Sequence, residues 1–373
     1  MTARLMEGSE AMAEAAVASG CRFFAGYPMT PFTEILEHFA RKLPEVGGVC
    51  INAESELEAV GMAWGALATG ARAATGSTGQ GLALMQESFS EITLAELPLV
   101  IFDMARGQGD YFQATRGGGH GDYRHIVLSP IDIKEAVVLT QLAFELADKW
   151  RNPALILGDY LLAHTSEAVD VASLTGPAGS SGPVKPVKDW ALDGSLGGTG
   201  RSRIVSSLGI AKVSPSGPVL PPGSTAIEAH LNAISSKLRR IEASEARVEA
   251  GWLEGADHVV VAFGTVAKFV RYVVAQLRAE GVAIGYVRPV TLWPFPYGAV
   301  AEAATDKKTV MVFEINAGQM IDDVRIGVAG RAPVMPIGGI STDGSGFGVG
   351  ALLDVDIIRG RIEQVLHDQE VVA

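Results

Sequence analysis

Residues 49–81 read VCINAESELEAVGMAWGALATGARAATGSTGQG, and this stretch decides the fold. Its apolar run at 49–52 predicts a strand, residues 56–69 a helix, and the run ARAAT at 71–75 a second strand. Ser55 and Glu58 stand three residues apart, which is the pattern of a capping box at a helix start. We therefore predict a strand–helix–strand unit of parallel sheet that ends in the glycine-rich loop GSTGQG.

The same alternation of strand and helix patterns continues on both sides of this unit. Predicted strands are CRFFA, PLVIFDM and PALILGD before residue 165, and HVVVAFG, AIGYVRP, TVMVFEI and APVMPIG after residue 257. Predicted helices cover 32–43, 82–95 and 132–150. This order predicts an α/β fold with parallel sheets flanked by helices.

Between residues 165 and 255 the alternation stops, and Gly, Ser and Pro become frequent. We interpret most of this segment as an extended connection over the surface, followed by a charged helix at 226–250. The predicted division is thus a first domain at 1–165, a connection with its charged helix at 166–254, and a second α/β domain at 255–373.

Composition excludes several classes of protein. The net charge is −12, and the Lys and Arg residues form no cluster in the sequence, which argues against nucleic acid as a partner. The sequence contains neither an apolar run long enough for a membrane span nor a signal-peptide pattern at its start, so we expect a cytoplasmic protein. Cys21 and Cys50 lie in predicted strands as free thiols, and two cysteines cannot hold a four-thiolate iron–sulfur cluster.

The loop AGYPMTP at 25–31 follows a predicted strand, and loops at the carboxyl ends of parallel strands form the ligand crevice of such sheets. Thr30 suits a helix N-cap and Pro31 the first helical position. At this point Thr30 can be either a cap or a ligand. Glu56, in the first turn of its helix, is by itself a surface acid more often than a functional one. The glycine loop matches neither a Walker nor a dinucleotide pattern, so we interpret its glycines as allowing the backbone to approach a ligand or a partner closely.

Together these stretches are more specific. Glu56, the Gly65-Ala66 pair, the segment 69–72 and the loop 77–81 resemble the aminopyrimidine-binding domain of thiamine diphosphate enzymes. The sequence is also similar to the alpha subunit of 2-oxoacid:ferredoxin oxidoreductases from about residue 6 to about 340, most of all to the branched-chain 2-oxoacid and 2-oxoglutarate types. The stretches that carry this similarity are AGYPMTP, AESELEAV, GDYFQATRGGGHGDYR, LAFELADKWRNPALILGD, VRPVTLWPFP and FEINAGQMIDDVR.

The resemblance implies a pyrimidine-type parallel-sheet domain, followed by a domain like the C-terminal domain of transketolase with a structural and subunit-contact role. It implies oxidative decarboxylation of a 2-oxoacid to acyl-CoA and CO2, with electrons passed to ferredoxin. Glu56 matches the glutamate that hydrogen-bonds the aminopyrimidine ring and is the implied catalytic residue. The implied cofactor contacts are Tyr27, Pro28, Glu56, Thr78, Gly79 and Gln80.

For the substrate, the resemblance implies that Thr30 faces it and that Arg106 binds its carboxylate, a task that suits a planar guanidinium. His120 is either a donor that lines the site or a loop residue held by Asp122. Relatives carry a longer segment after the arginine, whereas this chain has only Gly107-Gln108 before Gly109-Asp110-Tyr111. This difference leaves both the substrate and the exact use of Arg106 open.

The Gly-Asp-Gly motif with a following asparagine, which holds Mg2+ and the diphosphate in thiamine enzymes, is absent from the sequence, and we assign no metal ligand to this chain. The resemblance therefore implies a beta subunit that carries the motif, and gamma and ferredoxin-like subunits with the iron–sulfur clusters. Coenzyme A and the 2-oxoacid are the expected substrates. Two alternatives stay open: a non-oxidative thiamine-dependent decarboxylase or carboligase, and a non-catalytic scaffold subunit of the same fold.

Overall fold

The structure is a computed structural model that describes residues 3–170, 174, 188, 190–191, 203–206, 209–212, 224–340 and 353–372. Within these ranges the chain forms one sheet of seven strands, one sheet of five strands and two short antiparallel ribbons. Helices cover both sheets.

The first sheet has the strand order β14-β6-β7-β5-β4-β2-β3, and its pairs are parallel except for the edge pair β14–β6. Its strands are β2 (Phe23–Gly26), β3 (Val49–Asn52), β4 (Ala73–Ser77), β5 (Val100–Ala105), β6 (Ile126–Leu128), β7 (Ala154–Asp159) and β14 (Thr291–Trp293). An antiparallel ribbon of β1 (Ala3–Glu7) and β8 (Ser166–Asp170) lies apart from this sheet. Because the parallel strands end at one edge, the loops after β2, β4 and β5 lie side by side.

Seven helices belong to this part of the chain. They are α1 (Gly8–Ala18), α2 (Thr33–Lys42), α3 (Glu56–Ala68), α4 (Gly79–Leu94), α5 (Tyr111–Arg116), α6 (Ile133–Trp150) and α7 (Tyr160–His164), with a single 3-10 turn at Pro44–Val46. Helix α3 buries residues at helical spacing, including Ala59, Ala63 and Leu67, against the sheet.

The second sheet has the order β11-β13-β12-β15-β16 and is parallel except for the edge strand β11. Its strands are β11 (Val248–Gly251), β12 (His258–Val261), β13 (Ile284–Pro289), β15 (Thr309–Val312) and β16 (Val334–Pro336). The remaining elements are a ribbon of β9 (Arg203–Ser206) and β10 (Gly209–Lys212), and the helices α8 (Ser224–Ser244), α9 (Gly264–Ala279), α10 (Tyr297–Ala303), α11 (Met320–Val328) and α12 (Val355–Val372).

A cluster of aromatic rings fixes helix α2 on the first sheet. The rings of Phe24 and Phe39 stack with centroids 4.0 Å apart, and Phe32 and Phe102 pack around them. A side chain at Gly76 would overlap the Phe102 carbonyl oxygen and the Phe32 ring, so a glycine is required there. This packing sets the positions of the loops that leave β2 and β4.

The predicted strands and helices named above are confirmed within one to three residues, with two corrections. Cys21 lies two residues before β2 rather than inside it. The charged helix predicted for 226–250 ends at Ser244, because Glu245 is held by Lys149, Trp150 and Arg247 and the chain then pairs as β11 with β13. Most of the predicted connection lies outside the described residues. The three-part division stays a prediction, to which the structure adds that β14 joins the first sheet.

Candidate active site

The loop after β2 has a different local structure from the one predicted. Helix α2 begins at Thr33 with Phe32 at its N-cap, so Thr30 is not the helix cap and Pro31 is not the first helical residue. Phe32 is fully buried in the aromatic cluster, and its N–H closes a turn onto the Met29 carbonyl at 2.7 Å. Thr30 is left exposed at the edge where the parallel strands end, beside a cis peptide bond to Pro31.

Glu56 is buried, with 3 % of its surface exposed, and this corrects the interpretation of it as a surface acid. The helix start is built as predicted: Ser55 Oγ accepts the Glu58 N–H, and the Glu58 carboxylate accepts the N–H of Glu54. This capping box orients the first turn of α3, and Glu56 in that turn points inward. Its carboxylate accepts a hydrogen bond of 3.1 Å from Ser77 Oγ at the end of β4.

The glycine loop closes over this pair. Helix α4 begins at Gly79 with Thr78 at the N-cap position, and the Thr78 hydroxyl is buried without a hydrogen-bond partner. A side chain at Gly81 would overlap both Ser77 Oγ and Glu56 Oε1. The glycine therefore leaves the space that the buried carboxyl group occupies.

Arg106 follows β5 at the same edge of the sheet. Its Nε donates to the Thr30 carbonyl oxygen at 3.2 Å, which ties the end of β5 to the loop after β2. Thr30 and Arg106, the two residues that the resemblance assigns to the substrate, are thus neighbours. Tyr27 and Pro28 are exposed on the same loop as Thr30.

Two carboxyl groups of this region were missed by the sequence reasoning. Asp103 lies in β5, fully buried and without a hydrogen-bond partner, and it is the cross-strand neighbour of Ser77. Burial and the charge of Asp110 raise the pKa of Asp103 well above its usual range. Burial raises the pKa of Asp110 to about 6, against the opposing effects of the Gly79 N–H and of Arg106. An aspartate in the apolar run PLVIFDM is the signal that could have pointed to Asp103.

His120 is not brought to this group of residues. Its Nε2 lies 2.8 Å from the Glu91 carboxylate rather than being held by Asp122. Glu91 is twelve residues after Gly79 on α4, a distance of ~18 Å along a helix. The role of His120 as a substrate ligand stays a prediction without geometric support.

The short loop after Arg106 is anchored to the second sheet. Gln108 is buried, its Nε2 donates to the Phe263 carbonyl at 3.0 Å, and its Oε1 accepts the Ile315 N–H at 2.9 Å. Three further bonds hold the loop: Asn316 Nδ2 to Gln108 O, Gln319 Nε2 to Gly109 O, and Phe112 N–H to Gln319 Oε1, each 2.8 Å. We call residues 107–112 the anchored loop.

Among the described residues, no group of three or more His, Cys, Asp or Glu side chains is placed to hold a metal ion. Cys21 and Cys50 are free thiols, and burial raises their pKa values to about 12 and about 11. None of the helices in the described ranges is both long and apolar enough to cross a membrane.

Comparison with known proteins identifies the class of protein that this geometry belongs to. The family described as "Pyruvate flavodoxin/ferredoxin oxidoreductase, thiamine diP-bdg" matches residues 14–180. "Pyruvate:ferredoxin oxidoreductase core domain II" matches residues 256–346. The first match covers the first sheet except β14, and the second match covers β14 and the second sheet except β11.

Relatives narrow the class. Ketoisovalerate oxidoreductase subunit VorB of Methanothermobacter thermautotrophicus is 35 % identical over 336 residues, which cover 87 % of this chain and 90 % of that protein. The 2-oxoglutarate synthase subunit KorA of Methanothermobacter marburgensis is 35 % identical over 349 residues, which cover 88 % and 92 %. The chain belongs to the family of 2-oxoacid:ferredoxin oxidoreductase subunits, as the sequence resemblance predicted.

Solved structures agree on the fold. The 2-oxoglutarate:ferredoxin oxidoreductase from Magnetococcus marinus matches with a TM-score of 0.76 at 24 % identity, over 97 % of this chain and 65 % of that chain. A split-gene transketolase, an inactive beta4 tetramer, matches with a TM-score of 0.57 at 17 % identity, over 97 % and 98 %. The predicted fold class, a thiamine diphosphate-binding domain with a transketolase-like α/β domain, is confirmed.

Proposed function

We propose that this chain supplies the aminopyrimidine-binding half of a two-chain active site that oxidatively decarboxylates a 2-oxoacid to acyl-CoA and CO2, with electrons passed to ferredoxin. One observation carries this proposal above the others. The Glu56 carboxyl is buried beneath the glycine loop, which leaves space for it because Gly81 has no side chain. Among the described residues, Ser77 donates the side-chain hydrogen bond that this carboxyl accepts.

The residues present fit thiamine diphosphate. A buried carboxyl group suits a hydrogen bond to a ring nitrogen of the cofactor, and the buried, unpartnered Thr78 hydroxyl offers a second polar contact. Thiamine diphosphate, when bound, supplies the carbanion chemistry of decarboxylation. Glu56 would hold a proton at that ring nitrogen, while Gly79, Gln80 and the loop with Tyr27 and Pro28 would line the ring.

Thr30 and Arg106 would bind the 2-oxoacid. Because Arg106 Nε donates to the Thr30 carbonyl, the plane of the guanidinium is fixed relative to the loop. A fixed, planar cation suits the carboxylate of the substrate. His120 is left out of this proposed pocket because it contacts Glu91 at the other end of α4.

The proposed half-site needs a partner chain. The exposed side of α3 and the start of α4 present Leu57, Met62 and Leu84, with exposures of 52 %, 39 % and 51 %. Gly61 and Gly65 lie on the same helix with open space at their Cα atoms. We call these five residues the α3–α4 surface, in which Leu57 directly follows Glu56 in the first turn of α3. An apolar surface of this kind supports docking of a partner subunit.

We propose that this partner is a beta subunit with the Mg2+ and diphosphate ligands, and that further gamma and ferredoxin-like subunits hold the iron–sulfur clusters. The two cysteines of the sequence are too few for such a cluster. The free thiols Cys21 and Cys50 also support a reducing, cytoplasmic location.

The experiment uses the chain purified together with its partner subunits. Reduction of a viologen dye that requires both thiamine diphosphate and coenzyme A is measured across a panel of 2-oxoacids, for wild type and Glu56→Gln. We expect Glu56→Gln to lower kcat by at least ~100-fold, in the range of general acid–base effects, while assembly is kept. Glu54→Gln, which removes an exposed carboxylate two residues away, is the matched control and should keep wild-type turnover.

Three other outcomes would contradict the proposal, and two of them favour a different function. Wild-type turnover in Glu56→Gln would remove Glu56 from the mechanism. CO2 release that needs no electron acceptor would favour the non-oxidative decarboxylase or carboligase. A complex that does not bind thiamine diphosphate would favour the scaffold subunit.

The partner surface is tested separately. Leu57→Arg places a charge on the α3–α4 surface and should abolish co-purification with the partner subunit. Val138→Arg is the matched control, since Val138 is equally exposed, at 57 %, on helix α6. Co-purification of both variants would place the partner on another face of the chain.

A further inference from the structure

A buried glutamate fixes the start of helix α11. Glu314 is 4 % exposed, and its carboxylate accepts the N–H groups of Gln319, Met320 and Ile321 at 3.1, 2.9 and 3.2 Å. The first N–H groups of a helix have no partner within the helix, and a carboxylate is favourable beside them. The backbone of Gln319 is therefore held by a residue that follows β15 of the second sheet.

The side chain of Gln319 binds two backbone groups of the anchored loop, which follows β5 of the first sheet. Its Nε2 donates to the Gly109 carbonyl and its Oε1 accepts the Phe112 N–H, each at 2.8 Å. An amide side chain offers a donor and an acceptor in one plane. Gln319 thus holds the loop on both sides of Asp110 and Tyr111.

Two more side chains from the same stretch bind the anchored loop. Asn316 Nδ2 donates to the Gln108 carbonyl at 2.8 Å. On helix α11, Asp323 accepts a hydrogen bond of 2.8 Å from the hydroxyl of the fully buried Tyr111. The anchored loop is therefore attached to α11 and to the turn before it at three places, with Gln319 in the middle.

The backbone after Arg106 is held by these hydrogen bonds rather than by close packing. A side chain added at Gly107 or at Gly109 would meet no atom within 4 Å among the described residues. Gln108 between them bonds to two backbone groups that follow strands of the second sheet. Because glycine leaves a chain the most conformational freedom, the hydrogen bonds to this stretch decide where it lies.

Arg106 lies between this stretch and the first sheet. Ala105 before it ends β5 and pairs with Asp159 of β7, so the sheet fixes one side of Arg106. The Arg106 Nε donates to the Thr30 carbonyl at 3.2 Å, and this bond depends on the backbone position of the arginine on its other side as well. The orientation of the guanidinium therefore depends on the residues that hold the anchored loop.

We propose that Gln319 is a positioning residue, which acts from helix α11 through the anchored loop to keep Arg106 oriented toward the carboxylate of the 2-oxoacid. In this role Gln319 contacts neither the substrate nor the cofactor. Without its amide the loop gains freedom, and the substrate carboxylate binds less tightly. The inference deepens the proposed function and rests on the role of Arg106 in it.

The test is a double-mutant cycle in the assembled complex, with KM measured for the 2-oxoacid that wild type turns over best. Gln319→Leu has nearly the same size and removes both hydrogen bonds to the loop. We expect it to raise this KM by at least ~5-fold, the order of one to two hydrogen bonds, and to lower kcat by less than ~2-fold. KM for coenzyme A and the Kd of thiamine diphosphate should stay unchanged.

The second arm of the cycle repeats the substitution without the arginine. Arg106→Gln alone should raise KM for the 2-oxoacid by at least ~10-fold, because charge-assisted hydrogen bonds to the carboxylate are lost. Adding Gln319→Leu to this variant should raise KM by less than ~2-fold more, since Gln319 acts through Arg106. Gln364→Leu is the matched control, because Gln364 is an exposed glutamine on helix α12, and it should keep all wild-type constants.

A second variant covers the case in which Gln319→Leu does not assemble. Gln319→Glu keeps an acceptor for the Phe112 N–H and loses the donor to the Gly109 carbonyl, and it then takes the place of Gln319→Leu in the cycle. Failure of both variants to assemble would give Gln319 a structural role and overturn the inference. An unchanged KM in the variant that assembles, or an equal rise in KM with and without Arg106, would overturn it as well.

Failure of the proposed function has a different signature. No turnover of any 2-oxoacid by the wild-type complex, or an unchanged KM in Arg106→Gln, would refute the proposed function itself, and the inference with it. A raised KM in Arg106→Gln together with an unchanged KM in Gln319→Leu would leave the proposed function standing and refute only the role of Gln319.

Discussion

The fully buried Asp103 and the half-buried Asp110 should make the stability of this protein depend on pH in a defined direction. Burial raises the pKa of Asp110 from 3.8 to about 6. A folded-state pKa above the unfolded value means that the folded protein holds a proton that the unfolded chain releases. The contribution of Asp110 to the free energy of unfolding therefore falls as pH rises from about 4 to about 6 and is constant above that range. The raised pKa of Asp103 acts in the same direction.

The size of this loss follows from the shift. About two pKa units correspond to about 3 kcal/mol, at ~1.4 kcal/mol per unit. The side chain of Asp110→Asn cannot ionise, so the variant should not lose this free energy of unfolding at pH 8. At pH 4 the wild-type carboxyl is itself neutral, so the substitution removes no charge there. We expect the variant to gain ~2–3 kcal/mol at pH 8 relative to its effect at pH 4.

The assay is urea unfolding of the full chain at pH 4.0 and pH 8.0, at low protein concentration because the isoelectric point of about 5.1 lies between the two. Asp122→Asn, which removes the same charge from an exposed site, should show the same small effect at both pH values. An equal effect of Asp110→Asn at pH 4 and pH 8 would refute the reasoning, because it would mean that Asp110 titrates normally in the folded protein.

Two further outcomes follow from close packing around the site. Gly81→Ala should lower cofactor affinity by at least ~10-fold and destabilise the chain by ~1–3 kcal/mol, because the added carbon overlaps Ser77 and Glu56. The control Gly65→Ala meets no atom within 4 Å and should stabilise helix α3 slightly. Thermal unfolding with and without thiamine diphosphate measures the stability and the cofactor affinity of both variants. Gln108→Ala should raise KM for the 2-oxoacid more than it lowers kcat, because it leaves the Phe263 carbonyl and the Ile315 N–H without a partner and loosens the loop after Arg106. An unchanged KM in steady-state assays of the complex would show that the anchored loop does not position Arg106.

Local sequence patterns predicted most of the first sheet, because its strands and helices bury residues at regular spacing. The strand at 49–52 and the start of α3 at Glu56 were placed correctly, and Ser55 caps α3 as its spacing to Glu58 indicated. The β9–β10 ribbon and the strands β1, β6, β8, β11 and β14 were missed. Each of these five strands pairs with a segment that is distant in sequence, and such pairing leaves no local periodicity.

The site was predicted only as far as a local pattern or a resemblance reached. Thr30 next to Pro31 suits a helix start, yet helix α2 begins at Thr33, after the buried ring of Phe32. That ring packs on Phe24 of strand β2, and the loop sequence alone does not show this contact. Asp103 was missed for a related reason. An aspartate in an apolar strand can face solvent or the interior, and only the parallel pairing with β4 places it beside Ser77.

The short segment after Arg106 changes how that residue is held. A longer loop could fold on itself, but two residues between Arg106 and Gly109 leave little freedom, and Gln108 binds backbone groups that follow β12 and β15 of the second sheet. The position of the guanidinium therefore depends on the packing of the second domain against the first. A domain that contributes none of the proposed substrate contacts can in this way affect how Arg106 is held against the Thr30 carbonyl, and with it the place where a substrate carboxylate would bind.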